Sequence, residues 1–350
     1  MKKTLAASAM LLLACNGAQP TTTTLSNSAS PTTTAIEPPT TSPAPESPST
    51  TTTVVEDTWR EPLEDSLPVL DDGRPATFLA VNDDHAAVEV DTATGEMIRV
   101  IAQISTAEDL ANAECSACVN AVDAIWRLAD GSAYLVSECC EPAAGAMFWM
   151  RPDEVITPEV HEHDRVGLTA WLANPSPSSR AVAAASYGVS IDSPDDGQVW
   201  SWISPDGFFA SSPPSWSRDL STLWLVGGDG AVDLLWTIEP ASSTVSSAEL
   251  PWLSGDQYLS GLGTQASGRL VTFRLTDDGD EDFGNDLARG IAFEPAGELV
   301  AEFDVEPGSR MGAYDPSGRF LIYVDGDGTA RWQGVGQTGL LGEGYPFASW

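Results

Sequence analysis

Six strand signals recur along this chain, each opened by a tight turn. The turns are Asp84-His85, Asp130-Gly131, Ser178-Ser179, Leu220-Ser221, Ser267-Gly268 and Ser317-Gly318, and each precedes an apolar run such as Ala133-Tyr-Leu-Val136 or Phe320-Leu-Ile-Tyr-Val324. The second turn residues fall at 85, 131, 179, 221, 268 and 318, at intervals of 46, 48, 42, 47 and 50. Strand-built repeats of this length are blades, small four-stranded sheets arrayed radially as a β-propeller. The runs are strand-length and rich in Val, Leu, Trp and Phe, with no helix-period stripe. Residues Phe320 to Val324 are apolar on both faces, as expected of a sheet packed between two neighbours. The expectation is an all-β, six-bladed β-propeller over residues 57–350, with blades of about 49 residues; seven blades would force about 42.

A second turn follows most of the first ones: Thr92 to Gly95, Arg151 to Glu154, Ser204 to Gly207, Glu239 to Ser242 and Glu294 to Gly297. Pro, Asp and Gly pre-set the backbone there. The last residues, Tyr345-Pro-Phe-Ala-Ser-Trp350, repeat the pattern of Pro213-Pro214-Ser215-Trp216 and stop where another turn would begin. The stretch Ala76 to Val81 reads as a blade lacking its first strand. The C-terminal strand is therefore expected to enter the first blade and close the ring, which removes exposed sheet edges.

Before the repeats the chain changes character twice. Lys2 and Lys3 precede an apolar run, Leu5 to Leu13, too short to span a bilayer as a mature helix. Residues 21–53 hold 13 Thr, 6 Ser and 6 Pro. Such a composition cannot bury a core and is expected to be a disordered spacer, residues 15–56 forming a stalk. Mucin-like glycosylation is compatible with that role.

Charge narrows the partners. The chain carries 51 acidic residues against 16 Lys and Arg, a formal net charge of −35, and both of its lysines are Lys2 and Lys3. Nucleic acid is excluded as a partner, because phosphate binding needs clustered cations. The same shortage of cations opposes peripheral attachment to anionic headgroups.

Four cysteines lie inside the repeats. Val122 to Leu128 and Ser132 to Ser137 read as a hairpin, which would bring Cys115 and Cys118 near Cys139 and Cys140 at its open end. Structural disulfides are expected, their connectivity open, each closing a loop worth about 3 kcal/mol in the chain-entropy picture. A zinc site or a redox C-x-x-C are the rival readings; the adjacent Cys139-Cys140 lacks the spacer that tetrahedral zinc favours.

Other candidate sites are weaker. Asp278, Asp280 and Asp282 place hard oxygen ligands at alternate positions and are candidate calcium ligands, although Phe283 stands where an EF-hand loop has Gly. Apart from calcium, no cofactor is expected. His161-Glu162-His163-Asp164 places possible metal ligands on one side of an extended segment, but with His85 the only other histidine it reads as a solvated linker. No G-x-S-x-G, H-E-x-x-H or P-loop motif is present, and no catalytic residue is assigned.

Three resemblances follow from these residues. Leu12-Leu13-Ala14-Cys15 resembles the bacterial lipoprotein signal, which implies removal of residues 1–14 and lipidation of Cys15; an ordinary secretory signal is the alternative. The turns at 176–180, 216–221 and 315–319 resemble the W-S-P-D-G-R turn of TolB-like and WD-repeat propellers, which implies a propeller and often a protein-interaction role. Ser217 to Trp224 is similar to the sialidase Asp-box, departing from it at Ser221 and Leu223; that box stabilises a turn and is not catalytic. The functional expectation is a monomeric, membrane-anchored, extracytoplasmic module that binds or scaffolds an envelope protein or extracellular ligand without catalysis. The alternatives are a glycan-active hydrolase or lyase and a calcium-dependent binding module.

Overall fold

In a computed structural model the protein is described at residues 58–106, 108, 112, 121–138, 146–158, 165–166, 172–176, 178–185, 187–204, 208–228, 233–254, 257–276, 287–334 and 336–350. Cys15, the stalk, all four paired-cysteine candidates, His161 to Asp164, and Asp278, Asp280 and Asp282 lie outside these residues.

The architecture is the expected six-bladed β-propeller. Blade 1 takes β1 (Thr77–Val81), β2 (Ala87–Asp91) and β3 (Met97–Ala102). Blade 2 is β4 (Ala121–Arg127), β5 (Ala133–Glu138), β6 (Ala146–Met150) and β7 (Arg165–Val166). Blade 3 is β8 (Leu172–Pro175), β9 (Val182–Ala185), β10 (Gly188–Ser193) and β11 (Gly197–Ile203). Blade 4 begins with two short pieces, β12 (Phe209–Ala210) and β13 (Ser215–Trp216), both paired to β14 (Leu223–Gly228), and continues through β15 (Asp233–Glu239) and β16 (Thr244–Glu249). Pro213 and Pro214 split that first strand, since neither has an N–H for the ladder. Blade 5 is β17 (Gln257–Thr264), β18 (Leu270–Thr276), β19 (Leu287–Phe293) and β20 (Leu299–Asp304). Blade 6 is β21 (Arg310–Tyr314), β22 (Leu321–Val324), β23 (Thr329–Gly334) and β24 (Gln337–Glu343), and the last strand is β25 (Phe347–Ser349).

β25 supplies the missing innermost strand of blade 1. It pairs antiparallel with β1, Leu79 opposite Ser349, Ala80 opposite Ala348 and Val81 opposite Phe347. First strands of neighbouring blades touch around the axis, as β25 does β4, β13 does β17 and β17 does β21. The outermost strands β16 and β20 are mostly exposed.

The core explains why the ring holds. Six buried clusters occur among the described residues, one at each interface between successive blades. The interface of blades 6 and 1 is built like the others: Phe78, Ile322, Trp332, Ala348 and Trp350 bury together. Each fully buried large side chain contributes about 1.5–3 kcal/mol. The alternation within β22 is lost because all four of its residues are buried, as the doubly apolar sequence implies.

Two expectations need correction. The turn at His85 joins β1 to β2, the second and third strands of its blade, whereas the other five markers join first to second strands. Its interval of 46 therefore spans turns on opposite faces of the ring; both kinds of turn use the same Asp and Gly chemistry, so sequence alone does not phase them. The Ser204 turn is not an internal one either: Ser204 follows the outermost strand of blade 3, and the real third-to-fourth turn there closes at Ser193 opposite Gly197. Of the marked positions, His85, Gly131, Gly268 and Gly318 have positive φ; in blade 4 the left-handed residue is Leu220 rather than Ser221.

Ahead of β1 the chain crosses three blades. Trp59 packs on Trp216, with ring centroids 5.9 Å apart, in the core between blades 3 and 4. Leu63 N then donates to Ser178 O at 2.9 Å and Ser66 N to Ala129 O at 3.0 Å, tying the segment to the turns of blades 3 and 2.

Candidate functional site

The first-to-second-strand turns of blades 2, 4 and 6 line one mouth of an axial cavity of about 70 Å³, to which every blade contributes residues. That volume holds a handful of waters and is well below the several hundred Å³ of a drug-sized pocket. Its aromatic lining is Trp126, Trp216, Tyr314 and Trp350, from blades 2, 4, 6 and 1.

Most polar groups here bind blade to blade. Trp216 Nε1 donates to Asn174 O at 3.0 Å, and Asn174 Nδ2 donates to Pro214 O at 2.9 Å, joining blades 3 and 4. The hydroxyls of Ser215 and Thr264 pair at 2.9 Å, joining blades 4 and 5. Gln265 Nε2 donates to Tyr314 Oη at 3.2 Å, joining blades 5 and 6. Burial pushes the Tyr314 phenol up to about 12. Beside the cavity, Arg127 of blade 2 enters blade 1, donating to Thr77 Oγ1 and, at 2.8 Å, to Glu89 Oε1. Glu89 Oε2 also accepts from Arg99 Nε at 2.7 Å.

Asp315 is buried at the rim, its carboxylate filled by its own turn: Oδ1 accepts from Arg319 N and Phe320 N, both at 2.8 Å, and Oδ2 from Ser317 N at 3.0 Å. Asp219 does the same in the Asp-box-like turn, where Ser217 Oγ, Ser221 Oγ and Ser221 N converge on Oδ1. The Ser217 hydroxyl, then Ser221, hold its carboxyl below the usual range. The turn-stabilising reading of that motif is what the geometry shows. Arg218, between them, reaches across the mouth: Nη1 donates to Ser317 O at 2.5 Å and Nη2 to Pro316 O at 3.1 Å, linking blade 4 to blade 6 past blade 5.

A second feature lies on the opposite face, between blades 3 and 4. Tyr187 is 72% exposed, Ile203 88% and Phe209 44%. The Tyr187 and Phe209 rings meet edge to face with centroids 5.8 Å apart. Next to them in the chain, Trp202 and Phe208 pack with Trp236 at 5.3–5.6 Å as part of the core between blades 3 and 4. Sequence reasoning misses both Arg218's reach and this patch: the residues lie far apart in the chain or in unremarkable connections.

The glycan-hydrolase alternative asks for paired, perturbed carboxylates. Asp192 is a carboxylate whose pKa burial raises, and it does not line the axial cavity. The hairpin expected next to the cysteines is present, β4 pairing with β5 from Ala121 opposite Glu138 to Arg127 opposite Ala133.

No protein-family model and no curated protein sequence matches the chain. Among solved structures it is similar to a puromycin-hydrolysing peptidase of Mycobacterium tuberculosis, at 13% identity and TM-score 0.45, covering 76% of this chain and 42% of that one. The chain thus spans less than half the length of that peptidase. It is also similar to a putative TolB from Agrobacterium tumefaciens (13%, TM-score 0.48, 76% of this chain and 87% of that one). A third similarity is to an oligogalacturonate lyase solved in complex with manganese (13%, TM-score 0.44, 72% and 71%).

Proposed function

We propose that this protein is a lipid-anchored, extracytoplasmic propeller that binds or scaffolds an envelope protein or extracellular ligand without catalysis. Cys15 carries the lipid, residues 15–56 hold the domain away from the membrane, and Cys115, Cys118, Cys139 and Cys140 form two disulfides beyond the β4–β5 hairpin. The observation that carries the binding reading is the Tyr187, Ile203 and Phe209 patch. Exposed aromatics that brace one another edge to face supply contact area at little entropic expense, and such clusters mark interaction sites.

The test is cross-linking in intact host cells, followed by capture of the anchored protein and mass spectrometry. A stoichiometric envelope protein should be recovered with the wild type and lost with Tyr187→Ser/Phe209→Ser, whose melting should stay close to wild type because both side chains are exposed. Recovery of the same protein with the double variant, or with the stalk alone, would remove the patch from the reading.

A further inference from the structure

We infer that the mouth of the axial cavity is a binding site for a carboxylate group, received by Arg218, Trp350 and Tyr314. This adds a ligand class to the binding reading and uses the face opposite the aromatic patch.

In a chain with 51 acidic residues, a positioned arginine without a carboxylate partner runs against composition. Arg218 is such an arginine: among the described residues its partners are two neutral carbonyls, of Pro316 and Ser317. The nearest acids in sequence and across the mouth, Asp219 and Asp315, are turned into their own loops by N–H and O–H donors. A guanidinium has five N–H donors, and the two carbonyls use two of them. The rest can take a carboxylate without releasing the bridge between blades 4 and 6.

Two further donors line the same cavity. Trp350 is 2% exposed and its Nε1–H has no acceptor among the described residues. A buried donor left unmade is destabilising by about 1–3 kcal/mol, so a ligand oxygen placed there gains a hydrogen bond that the described residues do not already use. The Tyr314 hydroxyl accepts from Gln265 Nε2, which leaves its own proton to donate. Burial keeps that phenol protonated at neutral pH. Arg218, Trp350 and Tyr314 all line one space of about 70 Å³, together with Trp126 and Trp216. That is room for a carboxylate and a methyl or ethyl group, with any larger remainder of the ligand outside the mouth.

The experiment titrates the full mature protein with sodium acetate, propionate and sulfate at constant ionic strength, reading tryptophan fluorescence and calorimetric heat. Acetate or propionate should give saturable binding, and sulfate, tetrahedral and larger, should bind more weakly. Arg218→Gln should weaken carboxylate binding by about tenfold or more, the worth of one charge-assisted bond. Trp350→Phe, which keeps the ring and removes the N–H, should weaken it by a smaller factor. Melting curves of both variants check that the ring stays closed, and Arg218→Lys, which keeps the charge but not the fork, should fall between wild type and Arg218→Gln. Absence of saturable carboxylate binding, binding unchanged in Arg218→Gln, or sulfate binding as tightly as propionate would each overturn the inference. Because the readout is small-molecule binding at the axial face, failure here leaves the cross-linking result with the opposite face standing, and the reverse.

Discussion

At the scale of single residues, the strongest electrostatic commitment is Arg127 with Glu89. Their side chains are 8% and 14% exposed, so each has given up most of its water and depends on the other. Burial opposes ionisation of Glu89, but the Arg99 hydrogen bond and the charge of Arg127 outweigh it and hold the carboxyl below the usual glutamate range. A group whose pKa falls on folding adds stability above its unfolded value, near 4.3, and that stability is lost as pH drops through the lower folded value. Glu89→Gln leaves the Arg127 cation buried without its counter-charge and should lower stability by about 2–3 kcal/mol at pH 7. Denaturant titration should show a lower midpoint with an unchanged slope. The difference from wild type should shrink as pH falls below the carboxylate range; a constant difference would mean that packing, not charge, is what the substitution removes. None of this is legible in the sequence, where Glu89 and Arg127 are polar residues of two strands, 38 positions apart. Arg218 is equally opaque, because its acceptors are 98 and 99 positions away.

At the scale of elements, local chemistry is readable and phase is not. Turn residues and apolar runs identify the strands of β4–β5 and β22 to within a residue or two, because Gly, Asp and Pro act on the backbone next to them. Strand order within a blade comes from pairing, which is why the His85 turn looks like the other five in sequence yet joins a different pair of strands. The closing strand is readable from its likeness to Ser215-Trp216, and its contacts show what it holds together. Ser349 Oγ donates to Ile125 O at 2.5 Å, tying blade 1 to blade 2. Phe347 meets Trp126 edge to face at 5.3 Å, and Tyr345 meets Phe78 at 6.0 Å. Gly312 has no side chain because a Cβ there would strike Ala348 O. Deleting residues 345–350 removes Tyr345, Ala348 and Trp350 from the core between blades 6 and 1 and frees the edge of β1. At about 1.5–3 kcal/mol for each large buried ring, the loss is a substantial share of the roughly 5–15 kcal/mol that holds a domain together. The truncated protein should melt far lower and associate through the exposed edge, visible by light scattering. A monomer with unchanged melting would show that β25 is dispensable for closure.

At the scale of the whole molecule, net charge sets the response to salt. With −35 on the chain, repulsion acts across the domain at low ionic strength, where the screening length is about 30 Å at 0.01 M and about 3 Å at 1 M. Salt also weakens the ion pairs, but those on the surface, such as Arg269 with Glu294 and Arg180 with Asp195, are exposed on both sides and contribute tenths of a kcal/mol each. Repulsion therefore decides the sign, and the melting temperature should rise with sodium chloride over that range. The same titration isolates calcium. The segment 277–286 joins β18 to β19, whose ends are fixed by the pairing of Thr276 with Leu287, and Asp278, Asp280 and Asp282 are the oxygen donors proposed there. Calcium chloride, magnesium chloride and sodium chloride compared at equal ionic strength give one curve if only screening acts. A further rise with calcium alone, abolished by Asp280→Asn, would establish the segment as a calcium site and add a metal-dependent step to ligand binding. Coincident curves would make the segment an acidic loop, its charges part of the general repulsion that salt relieves.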